Sequence, residues 1–129
     1  MRNPRSIEDA NLSVRCYAMI ETVKGLENVE AIAAVDGVDG LFVGPVDLGI
    51  TMGIPLAETY RHPRVLDATQ RCVEVANRVG KVVGTVSNGA DHTQMLFDLG
   101  VRFVSLGADK AFVSAGVRDA MAAVEGLGS

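Results

Sequence analysis

Two carboxylates stand directly behind short apolar runs. Glu21 lies inside Met19-Ile20-Glu21-Thr22 and Asp47 inside Gly44-Pro45-Val46-Asp47-Leu48. Brought to one rim of a sheet, two such acids can bind a hard divalent cation, with water or substrate oxygens completing its shell. The same residues also suit a structural role, Glu21 capping the helix behind it and Asp47 capping the short turn around it. Spacing alone leaves both readings open. The remaining reactive side chains are less suggestive. His62 precedes Pro63 at a helix start, and His92 falls on a helix expected to pack outside the sheet, so both read as structural or solvated. Cys16 and Cys72 read as small core residues, with no Cys-His-Asp arrangement around them. Ser87 and Asn88 follow a third apolar run, where a substrate contact is open. Lys110 reads as the start of a solvated helical turn, because a Schiff-base lysine needs a desolvated pocket.

The elements that must carry these residues alternate. Val14–Ile20 is an apolar, β-leaning run, and a helix is expected from about Thr22 to Val35, with Val23, Leu26, Val29, Ile32 and Ala33 on one stripe. Leu41–Val43 is the next strand, and residues 49–62, rich in Gly and Pro, read as a surface excursion. A helix begins at Pro63, where a missing N–H costs nothing, and runs to Val79. Lys81–Val86 is the third strand, Ala90–Leu99 the next helix and Val101–Leu106 the fourth strand. Lys110–Val124 is the last helix, with Asp109 as its expected N-cap. Gly37, Gly80 and Gly100 follow helices, whereas Gly44 and Gly107 follow strands. GVDGLFVG (37–44) and GVRFVSLG (100–107) echo one another. Four βα units predict a parallel α/β sheet with right-handed crossovers and both faces covered. An open doubly wound sheet and half of an eight-stranded barrel remain equally compatible, and both put the site at the carboxyl ends of the strands.

Composition narrows the class. The chain has 129 residues, 48% hydrophobic and 22% charged, with a net charge of −4. That apolar content excludes disorder, and no apolar run reaches the roughly 18 residues of a membrane span. Net acidity argues against nucleic acid as a partner. Two cysteines are too few for a disulfide scaffold, and Met1-Arg2-Asn3-Pro4-Arg5 leads into no apolar leader segment, so the expected compartment is the cytoplasm.

The segment from about Val14 to Val124 resembles the carboxyl-terminal half of the HpcH/HpaI family of class II, metal-dependent pyruvate aldolases. The resemblance rests on MIETVKGLENVEAIAAVDGVDGLFVGPVDLG (19–49), HPRVLDATQ, the GTVSNGA loop and LGVRFVSLGAD, in that order. It implies four βα units forming the carboxyl-terminal half of a (β/α)8 TIM barrel, with residues 1–129 a single partial domain. It implies Glu21 and Asp47 as ligands of Mg²⁺ or Mn²⁺, and Gly44 and Val46 beside the substrate carboxylate. The metal would act as a Lewis acid on the enolate of pyruvate, which is released from or joined to an aldehyde, as with 4-hydroxy-2-oxo acids. The family's enolate-stabilising Arg and proton-transferring His belong to the amino-terminal half, so no catalytic residue of that kind is expected here. Arg5 and Arg15 precede or begin the first strand, away from its carboxyl end. Met19 stands where many relatives have Gln, and a thioether donates no hydrogen bond to a substrate.

Partners follow from the same reading. Pyruvate with an aldehyde or a 4-hydroxy-2-oxo acid is the expected substrate class, with no nucleic acid and no membrane. A homo-oligomer, or pairing with a missing half-barrel, is expected because four strands leave two unpaired edges. Two alternatives remain. A non-catalytic half-barrel would keep the metal and lack turnover. A receiver-like signalling module would use Glu21, Asp47, Ser87 and Lys110 in turn, although it needs five strands and a Lys-Pro step where this chain has Lys110-Ala111.

Overall fold

Each apolar run pairs with the next in sequence. A computed structural model describes residues 7–127, so the Met1–Arg5 stretch considered above lies outside the described residues. In chain order the elements are α1 (Ile7–Ser13), β1 (Tyr17–Ile20), α2 (Val23–Glu27), α3 (Val29–Ala33), β2 (Gly40–Val43) and α4 (Pro45–Thr51). A 3-10 turn (Leu56–Glu58) then precedes α5 (Pro63–Arg78), β3 (Val82–Val86), α6 (Ala90–Asp98), β4 (Phe103–Ser105) and α7 (Asp109–Val124). The four strands are parallel in the order β1-β2-β3-β4, with Ile20 opposite Val43 and Val43 opposite Thr85. A doubly wound sheet reverses its strand order at a switch point. Among the described residues the order does not reverse, which is the arrangement of a four-strand sector of a barrel.

The pleat explains what is covered. Ile20, Leu41, Val43 and Val83 point to the face on which α3 and α5 pack, and all are buried. Val29 and Ala33 of α3, with Ala68, Cys72, Val73 and Ala76 of α5, complete that core. Burying such a side chain fully contributes about 1.5–3 kcal/mol. The opposite face is bare, which corrects the expectation of two covered faces: Tyr17 (38%), Met19 (55%), Val82 (39%) and Phe103 (48%) are exposed. The crossover helices of an order without reversal lie on one side only. The inner face of a barrel is filled by its other strands. On that bare face Tyr17 of β1 reaches Phe103 of β4 at 5.6 Å between ring centres, and Phe42 lies 6.0 Å from Phe103. The rings meet across two intervening strands because Gly40 and Gly84 place no side chain between them. A Cβ on Gly40 would come within 2.7 Å of the Tyr17 ring, and one on Gly84 within 2.6 Å of Phe103.

Local chemistry accounts for the remaining departures. The single helix expected over 22–35 is two short ones, α2 and α3. Gly25 weakens the first, and the Asn28 side chain donates to the Lys24 carbonyl at 2.7 Å at the break. The first strand is shorter than expected, because Cys16 is tied instead to Asp39. Its N–H donates to Asp39 Oδ2 at 2.7 Å, and its carbonyl accepts the Asp39 N–H at 2.7 Å. Cys16 is exposed, contrary to the core assignment, whereas Cys72 is buried and its thiol is pushed up to about 12 by desolvation. The excursion at 49–62 contains the end of α4 and the 3-10 turn. Ala108, not Asp109, occupies the N-cap of α7, and Asp109 accepts the Lys110 N–H from inside the first turn at 2.7 Å. That helix buries none of its residues, and α1 was not anticipated. Among the described residues no helix is long and apolar enough to cross a membrane.

Candidate metal and substrate site

Glu21 is the first residue beyond β1, and it does not cap the helix that follows. Thr22 is the N-cap of α2, its hydroxyl accepting the Gly25 N–H at 3.0 Å. The structural alternative for Glu21 is thereby removed. Beyond β2 the ladder continues by one bond, from the Gly44 N–H to the Ile20 carbonyl at 3.0 Å. That bond sets Gly44 beside Glu21. A Cβ on Gly44 would lie 3.1 Å from Glu21 Cβ, 3.6 Å from Glu21 Oε2 and 3.7 Å from Met19 Sδ. The Glu21 carboxylate thus lies over the start of the loop that carries Asp47, and a Cβ at position 44 would press on the Glu21 Cβ, which would have to give by a few tenths of an ångström.

Gly44 is also the N-cap of α4, with Pro45 at the first position and the exposed Asp47 in the first turn. Having no side chain, Gly44 leaves the first-turn N–H groups of Val46 and Asp47 without a side-chain acceptor. Asp47 gains from the helix dipole there, so part of its structural reading stands. One hydroxyl links the two segments: Thr51 Oγ1 accepts the Val23 N–H at 3.2 Å and donates to the Leu48 carbonyl at 2.8 Å. Glu30 pairs with Arg71 and Asp39 with Arg15, whereas neither Glu21 nor Asp47 forms an ion pair among the described residues.

The donor set can be tested against a cation. No group of three or more His, Cys, Asp or Glu side chains is gathered among the described residues, so the protein alone does not encircle a metal. Glu21 beside the open Gly44 and Asp47 in the first turn that follows are oxygen donors without ion-pair partners, the donor type suited to an ion that keeps water or substrate in its shell, the habit of Mg²⁺ and similar hard cations.

The other candidates are engaged elsewhere. Ser87 is buried, its hydroxyl donating to the Gly89 carbonyl at 2.9 Å and accepting from Thr93 at 2.8 Å. His62 caps α5 by accepting the Arg64 N–H on Nδ1 at 3.2 Å. Lys110 is exposed at the start of α7. With four strands in unreversed order, the receiver-like reading fails, since that fold runs 2-1-3-4-5.

His92 is the residue that sequence reasoning undervalued. It is 1% exposed, Nδ1 accepts the Asn88 N–H at 3.3 Å, and Nε2 makes no well-formed hydrogen bond. The Tyr60 ring stands edge-on 5.8 Å away. Tyr60 and Asn88, with Arg61 and His62, also line a surface cavity of about 270 Å³. Burial first, then Arg61, lowers the imidazole pKa from its ordinary 6.5, with the Tyr60 backbone pulling the other way. The unfolded chain therefore takes up more protons below about pH 6.5, and stability falls as the pH drops from there. The urea midpoint is expected to drop between about pH 7.5 and about pH 5.5. His92→Leu should flatten that slope; an unchanged slope would show that other groups set it.

A parallel βα sector in sequential order, with one acid just beyond each of two adjacent strands, is part of a TIM-barrel-like fold. The particular family is settled by comparison. The family model for HpcH/HpaI aldolase/citrate lyase matches residues 1–115, and the chain belongs to that family. It is 35% identical over 118 residues to the 4-hydroxy-2-oxovalerate aldolase of Novosphingobium aromaticivorans, covering 92% of this chain and 44% of that protein. It is 34% identical over 122 residues to the 4-hydroxy-2-oxo-heptane-1,7-dioate aldolase of Klebsiella pneumoniae subsp. pneumoniae, covering 95% and 45%. Among solved structures, an HpcH/HpaI aldolase/citrate lyase family protein from Burkholderia cenocepacia superposes with a TM-score of 0.78 at 32% identity, covering 92% of this chain and 46% of that one. The chain thus spans somewhat under half the length of the curated relatives it matches.

Proposed function

We propose that the chain is the metal-binding half of a divalent-metal-dependent aldolase acting on 4-hydroxy-2-oxo acids, with pyruvate as one product or reactant. The observation that carries this reading is Glu21 leaning over Gly44, in the loop that bears Asp47, at the carboxyl ends of adjacent strands. Glu21 and Asp47 would hold Mg²⁺ or Mn²⁺. When bound, such an ion supplies Lewis acidity toward a keto oxygen. The N–H groups around Val46, left without a side-chain acceptor by Gly44, suit the carboxylate of a 2-oxo acid, and the missing Cβ gives it room. The half-buried Val46 side chain borders that position. Met19 is exposed on the bare face two residues before Glu21 and offers a substrate no hydrogen-bond donor.

By the family resemblance, the enolate-stabilising Arg and the proton-transferring His that turnover needs would come from the other half of the barrel. The other half of the barrel, supplied by a longer protein, a separate chain or a second copy, would cover the bare face and pair with β1 and β4. Both thiols are free, which agrees with a reducing compartment such as the cytoplasm. The direct test is calorimetric titration with Mn²⁺. The wild type is expected to bind, and Glu21→Gln or Asp47→Asn to abolish binding. Retained affinity in either variant refutes the pair.

A further inference from the structure

The two acids sit on separate segments, joined first by the β1–β2 ladder up to the Gly44–Ile20 bond and, beyond it, by the side chain of Thr51. Val23 is the first residue of α2, and its N–H has no acceptor within its own helix. Thr22 serves Gly25, two residues further along. Val23 is served by the Thr51 hydroxyl from the last turn of α4, at 3.2 Å. The same oxygen donates its own hydrogen to the Leu48 carbonyl at 2.8 Å, so its direction is fixed from both sides. Glu21 is two residues before Val23, and Asp47 is the neighbour of Leu48. One hydroxyl thus joins the backbone behind one acid to the backbone beside the other, across 28 residues of sequence.

We propose that Thr51 is a positioning residue for the Glu21–Asp47 pair, setting the separation of their segments by capping α2 from α4. The proposal rests on the metal reading above. Nothing about Thr51 suggests that it touches the ion itself. Both its hydrogen bonds are made to backbone, so its influence passes through the chain to the carboxylates.

Three variants and Mn²⁺ as the probe test this. Thr51→Val keeps the shape and removes both hydrogen bonds. Thr51→Ser keeps the hydroxyl. Lys81→Met is the control, because Lys81 Nζ makes a comparable tie, to the Ala33 and Val35 carbonyls at 2.6 and 2.9 Å, at the opposite, amino end of the sheet. Affinity is read by calorimetry, and the geometry of the bound ion by Mn²⁺ paramagnetic resonance. Thr51→Val is expected to weaken binding about tenfold, the scale of lost outer-shell support. It should also broaden the resonance, while Thr51→Ser and Lys81→Met match the wild type. If Thr51→Val binds as the wild type while Glu21→Gln does not, the metal pair stands and the role of Thr51 is overturned. If Thr51→Val and Lys81→Met lose affinity equally, the loss is general destabilisation and the role is again overturned. If Glu21→Gln binds as the wild type, the metal reading fails and Thr51 falls with it.

Discussion

Mixing the chain with the amino-terminal half of a relative's barrel is expected to raise Mn²⁺-dependent cleavage of a 4-hydroxy-2-oxo acid by orders of magnitude over the chain alone. The rim contains two carboxylates and first-turn N–H groups, and among the described residues none of the cations at that end (Lys24, Arg61, Lys110) forms an ion pair with either acid. Arg15 pairs with Asp39 at the amino end of the sheet, Arg71 and Arg78 approach Glu30, and Lys81 caps α3. An aldol cleavage develops negative charge on a keto oxygen, and removing a preorganised donor from such a position costs about 10²–10³ in rate. Release of pyruvate, followed with and without the added half, checks this. Full activity of the chain alone would mean that its own residues supply the missing groups.

The two faces of the sheet are expected to answer mutation in opposite ways. Leu41 is fully buried between β2 and the helices, so Leu41→Ala should cost about 2–5 kcal/mol. Against a typical total of about 5–15 kcal/mol that is a large fraction, visible as a lower urea midpoint. Phe103 is nearly half exposed on the other face, so Phe103→Asp should change the midpoint little. It should instead abolish association, because a charge would stand where the proposed second half-barrel would pack. In size-exclusion chromatography at micromolar concentration the wild type should elute larger than a monomer and Phe103→Asp as a monomer. A monomeric wild type would count against assembly through this face.

Much of this was legible in the sequence because the signals were local. The helix at Pro63–Arg78 announces itself by Pro63, by the spacing of Val65, Ala68, Cys72 and Ala76, and by Gly80, whose φ of +70° is cheap only for glycine. Glu21 and Asp47 were legible as a pair because each follows an apolar run at the same end. Three things were not. Sheet order depends on which strands meet in space, and the same βα pattern serves both wound and closed sheets. Whether a face is covered depends on what lies beyond the strand, so the expectation of two covered faces could not separate Tyr17 and Phe103 from their buried neighbours. The surroundings of His92 and the double bonding of Thr51 depend on groups 3 to 28 residues away, which no periodicity encodes.

The glycine-spaced aromatic cluster of the bare face has a practical consequence. The chain contains no tryptophan and only two tyrosines. One of them, Tyr17, lies in that cluster against Phe103, and the other, Tyr60, stands beside His92. Access of a soluble quencher to Tyr17, read as the difference in emission from a Tyr17→Phe variant that leaves Tyr60 as the remaining emitter, therefore follows whether the bare face is open or covered.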